Sequence, residues 1–364
     1  MILYAWGANT YGQLGLGYKS EQEFEPKQVD LSNTDLKADN IVAIAGGAVH
    51  TVILDCNGYV YCCGYNSKGQ LGLPDDTLQF TEIEILKGFK IAQISCGWDF
   101  SAAISQCGKQ FVWGNNGHTQ LGLSKSITCT GIPSRLQVSQ KLATGFKQVS
   151  CGLRHSAMIT KDGGLLVAGT GSKGQLGLGD NYDDNSYLSI SKVPDIEDVA
   201  SVASGQHHTV MLKEDGTVLS WGENKHGQLG IDPNVSNSFV PMEIFHNEEL
   251  DKVYAGWTHS GALTKNGEVY TWGRNCYGQL GSPRTEPYKP EKIPNLTDVS
   301  HLSMGSEHNL AVTKDGRLFA WGWNEHGSCG TGDNKDVMQP TQILSKHKVK
   351  LAFACTGSSF AVVE

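Results

Sequence analysis

The head W-G-x-N-x-x-G-Q-L-G recurs seven times along this chain, beginning at Trp6-Gly7, Cys63-Gly64, Trp113-Gly114, Ala168-Gly169, Trp221-Gly222, Trp272-Gly273 and Trp321-Gly322. Successive heads lie roughly fifty residues apart. A second signature, Gly-x-x-His followed by an apolar strand, falls between them at Gly47, Gly97, Gly152, Gly205, Gly256, Gly305 and Gly357. Self-similarity at this period means stacked supersecondary units, none of which buries its apolar face alone. Seven like units predict a closed ring of blades. No linker, charge run or low-complexity stretch interrupts the series, so the 364 residues read as a single domain, 1–364.

The unit beginning at Val199 shows how each repeat folds. Val199 to Ala203 alternates into a strand, Gly205-Gln206-His207-His208 turns the chain, and Thr209 to Leu212 returns as a second strand. Asp215-Gly216 is a hairpin turn signal, after which Val218 to Trp221 runs into the head. Val240-Pro241-Met242-Glu243-Ile244 supplies an outer strand, the position where Pro is tolerated. Four short strands per unit and no helical periodicity predict an all-β, seven-bladed propeller of four-stranded blades. Ile2 to Gly7 reads as a third strand without a second, and Phe360 to Glu364 as a second strand without a third. Pairing the N- and C-terminal strands would close the ring and remove two open sheet edges.

Composition excludes several classes of function. The chain is acidic, with net charge −8 and no basic tail, so direct binding to nucleic acid is not expected. No apolar run approaches a membrane span and no signal-peptide pattern opens the chain, so neither membrane insertion nor secretion is expected. The ten cysteines show no C-x-x-C pair and read as small buried thiols of a reducing compartment, cytoplasmic or also nuclear. No P-loop, paired-carboxylate or Ser/His/Asp pattern stands out, so no catalytic residue, metal or cofactor is assigned.

His50, His155, His208, His259 and His308 occupy one repeat position, whose counterparts elsewhere are read as Phe100 and Phe360. A base or metal ligand is needed once, not once per blade, so these imidazoles are read as structural, hydrogen-bonded to the neighbouring blade's backbone. The head tryptophans are read as core, since Cys63 and Ala168 replace them elsewhere.

The heads and the Gly-x-x-His strands resemble the repeat of the regulator-of-chromosome-condensation family. The segments WGANTYGQLGLG, CGWDFS, CGLRHS, GWTHS, TWGRNCYGQLG, GSEHNLAV and WGWNEHGSCGTGD look like its secretion-regulating exchange-factor branch. The resemblance implies a seven-bladed propeller, nucleotide exchange on a small GTPase of the secretory or nuclear transport machinery, and no covalent catalysis. It also implies acids in two turns and an inserted wedge at one head. Here those turns hold Trp98-Asp99 and Leu153-Arg154, and the head from Trp113 to Gly122 has ordinary repeat length. An adaptor that docks a protein without exchange is therefore the alternative.

Strand direction places the Gly-x-x-His turns and the heads on one face of the disc, with the Asp-Gly hairpins on the other. The residues that vary between blades on that face are the candidate partner-binding set. From the turns they are Trp98, Asp99, Arg154, His207, Trp257 and Glu307; from the heads, Arg274, Tyr277, Trp323 and Glu325. Exposed Trp, Tyr and Arg among charges are the composition of a protein-binding hot spot. A solvated rim with incidental aromatics is the competing reading. One copy of the chain is expected to suffice.

Overall fold

In the computed structural model, which describes residues 1–179, 190–284 and 286–364, the strands form seven antiparallel sheets of four. Blade I is built from Ile41–Gly46, His50–Asp55, Val60–Gly64 and Thr77–Glu82. Blades II to VI repeat this order over 91–135, 146–192, 199–246, 250–292 and 299–343. In blade IV the strands are Val199–Ser204, His208–Lys213, Thr217–Glu223 and Asn237–His246, each containing the segment expected from the pattern. Blade VII joins the two ends of the chain. Its order is Gln22–Gln28, Ile2–Ala8, Ser358–Val363 and Val349–Ala354, with Ile2 paired to Val363 and Gly7 to Ser358. Closure gives both Ile2–Ala8 and Ser358–Val363 a paired strand on each side.

The core lies between blades. Trp113 of blade II packs with Val52, Leu54 and Val60 of blade I, and Trp221 of blade IV with Ala157, Ile159 and Leu165 of blade III. Trp6, Trp113, Trp221, Trp272 and Trp321 are all completely buried, so five of the seven joints gain an aromatic anchor worth about 3 kcal/mol or more against truncation.

Backbone geometry explains the Gly of each signature. Gly222 adopts φ +111°, and a Cβ there would lie 2.4 Å from the His207 carbonyl oxygen. A Cβ on Gly205 would lie 2.2 Å from the His208 ring and 2.5 Å from the Gly256 carbonyl oxygen. The imidazole slot therefore exists only because the residue three before it has no side chain.

The closing blade corrects the sequence register by two residues. The Cys355 N–H donates to the Ser358 carbonyl at 2.8 Å, as the Gly305 N–H donates to that of His308 at 2.9 Å. Cys355 thus takes the glycine place, Ser358 the imidazole slot, and Thr356-Gly357 the variable turn. Phe360, expected in the imidazole slot, is instead a core residue, completely buried. Gly357-Ser358-Ser359-Phe360 mimics the signature of blade II, and only strand pairing to Ile2–Ala8 separates the two. The cysteines also divide: all ten are free thiols, but Cys56, Cys107, Cys129 and Cys276 are exposed, contrary to the expectation of buried ones.

Candidate functional site

His50 pairs with Gly64 and His208 with Gly222 across their strands, so turn and head share one face, as strand direction predicts. Each head loop then crosses to the next blade, where its Gln carbonyl becomes an acceptor. The Gln228 carbonyl of blade IV accepts from the Ser260 hydroxyl at 2.8 Å and the Trp272 indole at 3.1 Å, both in blade V. The same Trp bond recurs from Trp221 to Gln175, Trp321 to Gln279 and Trp6 to Ser328. Four of the five head tryptophans make this inter-blade bond, whereas the Trp113 indole N–H is buried without it, so packing in the joint is what all five share.

The histidines complete the joint. Nε2 of His50, His155, His208 and His308 lies 2.9–3.1 Å from the hydroxyl of Ser101, Thr209, Ser260 and Ser359 in the following blade. Those hydroxyls spend their protons on carbonyls, so the imidazole donates and carries its proton on Nε2. His259 finds the Asn309 Oδ1 at 2.8 Å. The partner is therefore a side chain that relays the bond to backbone, not the backbone expected from sequence. Burial pushes the pKa of His50, His155, His208 and His308 down to about 3, and burial likewise lowers that of His259. Neutral imidazoles distributed one to a blade cannot share one substrate. Among the described residues no group of three or more His, Cys, Asp or Glu could hold a metal.

The variable residues sort into two groups on the face. Trp98 of blade II and Trp257 of blade V reach across the ring and meet, with centroids 5.4 Å apart and planes tilted by 40°. Together they cap the central channel over Gly46, Cys96, Cys151, Ser204, Ala255, Met304 and Ala354, one residue from each blade. Trp98 remains 40% exposed, so a broad apolar surface stands at the centre of the face.

The second group lies on blades V and VI. The Arg274 guanidinium stacks on Tyr277 at 4.9 Å, Tyr277 lies 6.4 Å from Trp323, and Trp323 meets His326 edge-on at 5.1 Å. Beneath them Glu307 accepts from the Thr258 hydroxyl at 2.6 Å and the Gln279 amide at 2.7 Å, with Arg274 at 3.9 Å. Glu307 is only 7% exposed. It is a buried brace between blades V and VI and not the rim charge expected from sequence. Thr258 and Gln279, which hold it, gave no sequence signal: one is a turn residue and the other the invariant-looking head Gln.

The remaining candidates stay separate. Asp99 accepts from Asn115 of its own blade at 2.7 Å. Arg154 and Glu325 are exposed and His207 is half-buried. Burial lowers the His207 pKa, Glu223 opposes this, and Lys173 and Arg154 lower it further.

A closed ring of RCC1-type blades with one aromatic-rich face defines the class, and the match to family models agrees. The chain belongs to the RCC1-like domain family, whose model matches residues 2–363. Among individual proteins, the secretion-regulating guanine nucleotide exchange factor of Mus musculus is 35% identical over 307 residues, covering 80% of this chain and 63% of the mouse protein. The ultraviolet-B receptor UVR8 of Arabidopsis thaliana is 34% identical over 285 residues, covering 77% of this chain and 62% of the receptor. This chain thus spans less than two thirds of either relative. Prp20p from Saccharomyces cerevisiae superposes with a TM-score of 0.88 at 23% identity, covering 99% of this chain and 90% of that one. That likeness concerns the fold. An exchange factor and a photoreceptor on one scaffold show that the blades do not set the function. Among the described residues no helix is long and apolar enough to cross a membrane.

Proposed function

We propose that this propeller is a regulatory protein that engages a small GTPase through its turn-and-head face and promotes release of bound nucleotide. One observation carries the reading. Of the eight tryptophans, five fill the joints between blades, and the other three, Trp98, Trp257 and Trp323, all lie on this face. A surface that gathers every tryptophan not needed for the fold, beside an Arg-Tyr stack, has the composition of a binding hot spot. The likeness to a secretion-regulating exchange factor supports a GTPase as the partner and secretion as its setting. Exchange needs no covalent step. The propeller has only to bind the nucleotide-free GTPase more tightly than the loaded one, which by linkage weakens the nucleotide.

The test is capture of purified small GTPases, Ran-type and secretory, on immobilised propeller. Retention after nucleotide and Mg²⁺ are stripped, and release on adding GTP, is the expected result, together with faster release of labelled GDP. A panel that shows neither rejects exchange. One feature favours a second reading, an adaptor without exchange. The Trp113 head closes by Thr119 N–H to Asn116 and Gly122 N–H to Thr119, the same path as the Asn66–Gly72 head, so nothing is inserted there. An adaptor would retain its partner regardless of nucleotide.

A further inference from the structure

Head loops alternate with turns around the face, because each loop packs beside the turn of the next blade. From blade I to blade V this order brings together Lys68, Arg154, Lys173, Lys225 and Arg274. The first four are exposed and Arg274 is half-buried. The carboxylates on the same arc are withdrawn. Asp99 is held by Asn115, Glu223 is half-buried beside His207, and Glu307 is buried below Arg274. The crowding of cations is felt by the histidines between them: besides burial, Lys173 and Arg154 lower the pKa of His207, and Arg274 and Lys225 that of His226. Glu325, the exposed acid of the site, stands beyond the arc on blade VI. A chain of net charge −8 thus presents a positive arc beside its two aromatic groups.

Resting on the docking face proposed above, we infer that the partner's contact surface is an acidic protein segment bearing apolar side chains, its carboxylates facing Arg154, Lys173 and Lys225 and its apolar groups facing Trp257 and Trp323. Charge complementarity of this kind speeds encounter and sets orientation, while the aromatics supply most of the affinity. Nucleic acid fits less well, because these cations are spaced one or two to a blade and separated by aromatics instead of following a phosphate chain.

The probe is a fluorescein-labelled peptide of repeated Glu-Glu-Leu, followed by anisotropy with the intact protein at several salt concentrations. The expected result is saturable binding that weakens with salt. It should fall at least about tenfold in the Arg154→Glu/Lys173→Glu/Lys225→Glu variant and stay unchanged when Lys346, Lys348 and Lys350 are reversed. Trp323→Ala runs in parallel, with melting curves confirming that each variant is folded. No binding by the wild type, or equal binding by the triple variant, overturns the inference. So does displacement of the peptide by duplex DNA at equal concentration. Loss in Trp323→Ala but not in the triple variant sinks the acidic partner and leaves the docking face standing. Exchange itself is judged separately by the GTPase panel.

Discussion

Within one turn of this propeller, adjacent residues belong to two different regimes. In blade IV, Gln206-His207 lie half-buried on the proposed docking face, while His208 is buried against Ser260 of blade V. The same division repeats from blade to blade: an interior built mainly of His, Trp, Ser/Thr and Gln that joins neighbours, and a surface whose turn and head residues vary around the ring. The interior can repeat because every joint solves one packing problem. The face is under no such constraint, and an asymmetric partner of the kind proposed would meet each blade differently. Changes to the interior should cost stability and spare recognition, and changes to the face should do the reverse.

The most disruptive way to break the interior is to open the ring. Deleting residues 1–7 removes the strand paired to Ser358–Val363 and exposes Val362 and Val363. The melting temperature should drop by more than about ten degrees. A change within about two degrees, worth well under ~1 kcal/mol at this size, would show that closure is dispensable.

Acid attacks several joints together. Four imidazoles held near a pKa of about 3 return to the ordinary 6.5 on unfolding. Between these values the unfolded chain binds more protons, so their contribution is complete above pH 6.5 and is lost as the pH falls. The loss should be on the order of 1 kcal/mol per histidine per pH unit. Urea midpoints measured from pH 7 to pH 4 should decline steeply, and a His208→Gln variant should decline less. A flat profile would mean that the imidazoles reach solvent.

A single staple is a smaller perturbation. His208→Ala leaves a cavity and removes the imidazole N–H that donates to the Ser260 hydroxyl oxygen, at a cost of about 2–4 kcal/mol by chemical denaturation. Glu307→Ala strands the Gln279 amide and the Thr258 hydroxyl and should cost about 1–3 kcal/mol. It also frees Arg274, making Glu307 the one position where the two regimes overlap. Here both the denaturation midpoint and partner affinity should move. If only affinity moved, Glu307 would be a surface contact after all.

On the face the expectation inverts. Trp323→Ala should keep the wild-type melting temperature within about two degrees and weaken partner binding by about 2 kcal/mol, roughly thirtyfold. Glu325→Ala, exposed and outside the cluster, should change stability by less than about 0.5 kcal/mol and affect binding least of all. Titration calorimetry on the captured partner ranks the two.

Repetition made the interior legible in sequence. Trp221 and Trp272 recur at one position, Gly205 must accommodate His208, and Asp215-Gly216 marks a hairpin, all through local geometry that a short segment carries with it. The termini could be matched because each lacks a strand that the other supplies. Where repetition degenerates, legibility ends: Gly357-Ser358-Ser359-Phe360 satisfies the local pattern, yet pairing with the far end of the chain shifts it by two residues. Which variable residues meet is likewise a property of the closed ring. Trp98 and Trp257 touch across the channel only because seven blades curve two distant turns toward one axis. Glu307 is buried only because the head loop of the preceding blade, carrying Gln279, packs against it. Sequence thus determined the blade, its turns and its anchoring residues, since those rest on contacts within one repeat or between identical neighbours. Tertiary structure decided the register of the closing blade and the composition of the face, since both rest on contacts between residues whose separation along the chain follows no period.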